Sequence, residues 1–296
     1  LMIISYGKQS IDSQDIKKII KSLKSDYLTQ GPLVKDFEKK LAINFKSKFS
    51  TVLSNASAAL YLIGKILDWK AGDIIAVPPI TFISSVNAVE HCGAKPLFVD
   101  INLKDFCMDP EKLEKELERD KKKKIKAAII TDYGGQPAQW KKFYELKKKY
   151  KIILINDNCH AMGSSINLDR GYAVKYADFV SLSFHPVKAI TTGEGGAILT
   201  NNKKMNEKAK LLREHGIVRN TKRHWDYKVS VLGYNYRLPD LNCALGISQL
   251  RKLKKFVGRR RKISSIYDNL FSDKNKFTIP REIKGTINSY HLYPIL

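Results

Sequence analysis

Two hydrophobic patterns alternate along this chain. Short continuous apolar runs, STVLS (50–54), DIIAVP (73–78), AKPLFVD (94–100), KIKAAIIT (124–131) and KIILIND (151–157), read as strands. Between them lie helical stretches: NASAALYLIGKIL, FISSVNAVEHCG, and segments 110–119 and 139–150. Unbroken apolar strands are expected where both faces of a sheet are covered. The alternation therefore predicts an α/β fold, a doubly wound and mostly parallel sheet sandwiched by helices. In such sheets ligands collect at the carboxyl ends of the strands, so the loops that follow them are where chemistry is expected.

The flanks carry helices of other kinds. An amphipathic helix is predicted around Ser13 to Lys24, and a Gly31-Pro32 turn opens a second one with apolar positions at 33, 34, 37, 41 and 45. Around Asn235 to Asp240 the pattern gives way to a long helix over 238–270, read as the bridge to a smaller domain. The division expected is a large α/β domain with an N-terminal arm over 1–237, then the bridging helix and the start of a small α+β domain over 238–296. The chain begins with Leu ahead of Met2 and closes on the apolar SYHLYPIL, so this small domain is expected to be incomplete.

With 296 residues, 43% of them hydrophobic, the chain can bury a large core. No apolar run approaches the roughly 20 residues of a membrane span, and LMIISYGKQSIDSQ lacks the layout of a secretory signal. A cytoplasmic protein without membrane partners is expected. Lys and Arg outnumber Asp and Glu by 53 to 29, a formal net charge of +24 that invites a nucleic-acid reading. The charge falls into runs such as Lys121–Lys124 and Lys147–Lys149, with no aromatic platform or helix-turn-helix beside them. A solvated surface accounts for it, and its field favours an anionic substrate such as a sugar nucleotide. Cys92, Cys107, Cys159 and Cys243 lack metal or disulfide spacing and read as reduced core or lining residues.

Three strand-end loops hold candidate chemistry. In SNASAAL, Ser54, Asn55 and Ser57 precede a helix whose first N–H groups could cradle a phosphate, or serve only as an N-cap. In INDNCHAMGSS, Asp157 ends a buried strand and could either partner a protonated ring nitrogen or cap the loop. His160, three residues on, is a half-buried histidine or a further cofactor contact. In SLSFHPVKAITTGEGGAILTNN a single lysine, Lys188, lies between two apolar runs, where a low dielectric would make its amine a nucleophile able to form a Schiff base. Cradle, carboxylate and lysine together are the parts a pyridoxal phosphate site requires.

The segment SFHPVKAITTGEGGAILTNN resembles the Schiff-base region of the DegT/DnrJ-type sugar-nucleotide aminotransferases, a fold type I pyridoxal phosphate family. YLTQGPLVKDFE, LSNASAAL, PPITFISSVNAVEHCGAKPLFVDI, YGGQP, INDNCHAMGS and LGYNYRLPDLNCALGISQL match in the family's order, from about Tyr27 to Leu250. The resemblance implies that Lys188 binds the cofactor aldehyde and carries the substrate proton, and that Asp157 partners the pyridine nitrogen. It implies that Phe82 stacks on the ring, that Ser57, the Ala58 backbone and Ser183 hold the phosphate, and that Asn235 reaches the phosphate of a neighbouring subunit's cofactor in a homodimer. It further implies L-glutamate as donor, 2-oxoglutarate as its product, and a UDP-linked 4-keto-6-deoxy-N-acetylhexosamine, aminated at C4, as acceptor. Another nucleotide sugar, or a non-catalytic relative, remains open. Asn156 departs from the family's acidic residue before the cofactor aspartate, Gln139-Trp140 from its aspartate after the QPA segment, and the chain stops where members continue. Lys65, Arg213, Arg219 and Arg237 are alternative diphosphate contacts.

Overall fold

Alternate residues of the same strand point into two different cores, which is how the unbroken apolar runs are used. The computed structural model describes residues 7–219, 225–271 and 278–296. Its helices are α1 (Ser13–Leu23), α2 (Pro32–Asn44), α3 (Ala56–Ile66), α4 (Ser84–His91), α5 (Pro110–Arg119), α6 (Trp140–Tyr150), α7 (Tyr172–Tyr176), α8 (Lys203–Arg213) and α9 (Asp240–Phe271). Its strands are β1 (Phe49–Leu53), β2 (Ile74–Val77), β3 (Lys95–Phe98), β4 (Ile125–Thr131), β5 (Ile153–Asp157), β6 (Ser165–Ile166), β7 (Phe179–Ser183), β8 (Gly196–Thr200), β9 (Ile217–Arg219), β10 (Tyr227–Val229) and β11 (Thr286–Ile287). On one face Val52, Ala128, Ile130, Ala197 and Leu199 pack with Phe37, Trp140, Phe143 and Ile247; on the other, Leu53, Ala127, Ile129 and Ile198 pack with Leu60, Ile63, Val89 and Leu212.

The central sheet has seven strands in the order β1-β8-β7-β5-β4-β2-β3. All are mutually parallel except β8, which runs against both neighbours. The exception has a local cause. Residues 184–195 between β7 and β8 contain no helix, and a parallel return needs a crossover long enough to carry one. The loop instead closes on itself, with Phe184 N–H donating to Gly195 O at 2.8 Å and Thr192 N–H to Phe184 O at 3.0 Å.

The remaining elements clamp this sheet. The Asp240 carboxylate, at the start of α9, accepts from Gly31 N at 2.7 Å and Leu33 N at 3.0 Å and so caps α2 from a distant part of the chain. On the same side, α1 buries a polar pair against α9: Asp15 accepts from Gln249 Nε2 at 2.7 Å and pairs with Lys252 at 2.5 Å. Its apolar positions Ile16, Ile20 and Leu23 stay exposed, the reverse of an ordinary surface helix. After α9 the chain returns to the α/β unit, where β11 pairs with β6 in a separate two-stranded sheet and Leu292 N–H donates to Gly134 O at 3.1 Å. The approach depends on Gly135, with φ of 102°, because a Cβ there would stand 2.5 Å from Ser289 Oγ. Among the described residues, no helix is long and apolar enough to cross a membrane.

Candidate active site

Because the six parallel strands share a direction, Leu53, Val77, Phe98, Thr131, Asp157 and Ser183 end on one edge. Asp157 is buried there and accepts three hydrogen bonds: from Ser85 Oγ at 3.2 Å, Cys159 N at 3.2 Å and Ser181 Oγ at 3.4 Å. All three donors are neutral. A buried carboxylate held only by neutral groups suits a cationic partner, since its charge is oriented but not cancelled.

Lys188 is half-buried on the same rim, its Nζ 3.5 Å from His291 Nε2. Arg260 of α9 fixes this arrangement by donating to Val187 O at 3.2 Å, His291 O at 3.2 Å and Tyr290 O at 3.4 Å, which ties the lysine loop to the returning segment. His160 packs against His291 with ring centroids 4.3 Å apart and planes tilted by 35°, and meets Tyr133 edge-on at 5.8 Å. Burial, then the Lys188 ammonium, pushes the His160 pKa down to about 4. His291 is driven lower still, by burial first and then by His160 and Lys188. Two neutral imidazoles therefore lie beside the lysine, and the His291 ring can accept a hydrogen bond from it. Sequence reasoning missed His291, which lies in a segment read only as an apolar run; a histidine inside that run was the available signal.

The phosphate positions converge across one glycine. Gly196 is paired with Leu53 of β1 on one side and Ser183 of β7 on the other. It lets the N-terminus of α3 approach, since a Cβ on it would lie 2.5 Å from Ala56 N. Asn55 caps α3 by accepting from Ala58 N at 2.8 Å, and Ser183 is buried beside this end of the sheet. A cavity of about 450 Å³ opens here, lined by Asn55, Ser57, Ala58, Tyr61, His91, Tyr234 and Tyr236. Ser57 is exposed to it. Asn235 is exposed between Tyr234 and Tyr236, and the Tyr236 carbonyl accepts from Ser54 N at 2.9 Å, which ties this segment to the residues before α3. Phe82 lies in the loop after β2 with 64% of its surface exposed, while the neighbouring Thr81 hydroxyl reaches that of Thr131 at 2.9 Å. Arg213 is not available to a diphosphate: it is buried, donating to Glu38 Oε1 at 2.7 Å and Val52 O at 2.9 Å.

These residues fit pyridoxal phosphate. A helix N-terminus held close by Gly196 would take the phosphate, Asp157 would face the ring nitrogen, and Lys188 would stand near the aldehyde. Residues 9–296 match the DegT/DnrJ/EryC1/StrS aminotransferase family. The chain belongs to this family. One member, the UDP-4-amino-4,6-dideoxy-N-acetyl-beta-L-altrosamine transaminase of Campylobacter jejuni subsp. jejuni serotype O:23/36, is 42% identical over 99% of this chain and 76% of its own length. Among solved family structures, Helicobacter pylori PseC, an aminotransferase involved in the biosynthesis of pseudoaminic acid, superimposes with a TM-score of 0.92 at 32% identity, over 99% of this chain and 77% of that one. The PLP form of the sugar aminotransferase Spr1654 from Streptococcus pneumoniae gives 0.89 at 28% identity, over 98% and 77%. The chain is thus a transaminase of the fold type I architecture; of the positions at which it departs from the family pattern, Asn156 and Trp140 donate to one buried residue, Asp132, while Gln139 donates to Asp105 at 3.4 Å.

Proposed function

We propose that the chain transfers the amino group of L-glutamate to C4 of a UDP-linked 4-keto-6-deoxy-N-acetylhexosamine, a step toward pseudaminic acid. The observation that carries the reading is Lys188 on the strand-end rim with the buried Asp157, in a chain 42% identical to a transaminase named for that sugar series. When bound, pyridoxal phosphate supplies an aldehyde that takes up the amino group and a ring that accepts the electron pair released at the substrate carbon. Asp157 keeps a proton on the ring nitrogen by placing a fixed negative charge against it. The first N–H groups of α3, with Ser57 and Ser183, hold the phosphate. Phe82 covers the ring, which explains a large apolar side chain left exposed by its own chain.

Lys188 has two tasks. Its Nζ holds the cofactor between turnovers and, once displaced by glutamate, takes the α-proton and moves it. His291 Nε2, 3.5 Å away, orients that amine as a hydrogen-bond partner. The nucleotide diphosphate supplies binding remote from the reacting carbon, which orients the sugar.

Exposed Ile16, Ile20, Leu23 and Asn235 support a homodimer in which Asn235 reaches the partner's cofactor phosphate. A large cofactor-binding unit over 1–237, with the bridging helix beyond it, suits that assembly, as does a cytoplasmic setting. Product analysis tests the reading. The chain, loaded with pyridoxal phosphate and given L-glutamate, is offered UDP-linked, GDP-linked and dTDP-linked 4-keto sugars. Amination of the UDP-N-acetyl substrate at C4 is expected; turnover of only another nucleotide sugar would reassign the substrate.

A further inference from the structure

Asp132 directly follows β4 and is completely buried. Its Oδ1 accepts from the main-chain N–H of Ala138 at 2.9 Å and the indole N–H of Trp140 at 2.8 Å. Its Oδ2 accepts from the Asn156 amide at 3.1 Å, the Asn158 amide at 2.9 Å and the Tyr172 hydroxyl at 2.7 Å. No donor among them carries a charge. The two asparagines are the residues immediately before and after Asp157, and the N–H of Asp132 donates to the carbonyl of Asp157 at 3.2 Å. One residue just past the neighbouring strand therefore grips the end of β5 on both sides of the carboxylate that it presents.

We propose that Asp132 is the positioning residue of Asp157: by holding Asn156 and Asn158 it fixes where the Asp157 carboxylate stands for a cationic ring nitrogen. The inference rests on the pyridoxal phosphate reading and adds to it a residue outside the cofactor's contacts. An amide cannot replace this carboxylate. Both oxygens face donors only, so an asparagine at 132 must turn its NH₂ toward either the Oδ1 pair or the Oδ2 trio, losing at least two of these bonds. Burial carries the Asp132 pKa up to about 6 against the pull of its donors, so at neutral pH it is ionised with its acceptor sites intact.

The test reads cofactor binding rather than turnover. Pyridoxal phosphate is titrated by absorbance into the full chain, into Asp132→Asn, into Asp157→Asn and into the double variant, and thermal unfolding of each is recorded without cofactor. Asp132→Asn is expected to weaken binding about 10- to 100-fold, the range that loss of an outer hydrogen-bond partner costs at metal sites. In the Asp157→Asn background the same change is expected to cost less than about twofold, because the two act through one group. Unchanged affinity in Asp132→Asn overturns the proposal, and so do losses that simply multiply. Should Asp132→Asn fail to fold, Tyr172→Phe removes only the hydroxyl donor; weaker binding that requires Asp157 supports the proposal, and unaltered binding overturns it. If the unaltered chain takes up no pyridoxal phosphate, the reading of the site falls and this inference with it. Normal uptake that ignores Asp132 defeats the inference alone.

Discussion

Adding one methyl group at Gly196 should separate the phosphate cradle from the sheet. The Cβ of Gly196→Ala would stand 2.5 Å from Ala56 N and 2.6 Å from Asn55 O, whereas ordinary contact begins near 3.4 Å. The difference, 3.4 − 2.5, is about 0.9 Å, and the obstructing atoms are backbone with no rotamer to yield. Gly196 is held on both edges by Leu53 and Ser183, so the N-terminus of α3 is the part that moves. Overpacking of this kind costs about 1–3 kcal/mol of stability. The functional cost is separate, since misplacing a binding group by about 1 Å can cost on the order of a hundredfold. Thermal unfolding reads the first, and an absorbance titration with pyridoxal phosphate the second. The expected outcome is a modest fall in Tm with a much larger loss of cofactor affinity. A variant that binds cofactor like the parent would refute the placement of the cradle against β8.

Other outcomes follow from the same geometry. Glu38→Gln removes the buried one of the two carboxylates that Arg213 pairs with, leaving Glu214 at 3.1 Å, and should lower the unfolding free energy in urea by about 1.5–3 kcal/mol. Two buried groups make opposed contributions to the acid limb of stability. Asp132 has its folded pKa raised from 3.8 to about 6, so its contribution is full below the unfolded value and is lost as pH rises toward 6. His160 has its folded pKa lowered from 6.5 to about 4, so its contribution is present above the unfolded value and is lost as pH falls through about 4. His160→Gln removes the second slope, and urea titrations from about pH 4 to about pH 6.5 should show the variant gaining less with rising pH than the parent, by about 3 kcal/mol across the window; matching profiles would contradict the neutral, buried assignment. His291→Phe keeps an aromatic ring against His160 but removes the hydrogen-bond partner that orients Lys188 Nζ, and should lower kcat with little change in cofactor affinity, as compared by rapid-mixing kinetics and absorbance titration.

Much of this site was legible because strand ends carry their own signals. Asp157 closes an apolar run, Asn55 opens a helix, and Lys188 interrupts two buried segments, so patterning alone puts each on the rim. The sheet was legible except for β8, whose direction is set by a helix-free loop that apolar patterning does not encode. Contacts made between distant parts of the chain were the hardest to foresee. Asp240 caps α2, Arg213 reaches Glu38, and His291 meets Lys188 only after α9 brings the chain back across the sheet. Arg213 was grouped with the diphosphate candidates because a sequence shows its charge but not its burial. In α1 periodicity marks a helix but not which side it buries: Asp15 finds Lys252 and Gln249 while Ile16, Ile20 and Leu23 face outward.

The most direct test of Lys188-dependent amino transfer is an absorbance spectrum of the chain loaded with pyridoxal phosphate, recorded before and after L-glutamate, with Lys188→Ala alongside. The account requires a visible band from lysine-bound cofactor that bleaches with glutamate in the parent, and neither the band nor cycling in the variant. A folded parent that binds cofactor without a Lys188-dependent band, or a band unmoved by glutamate, would contradict it.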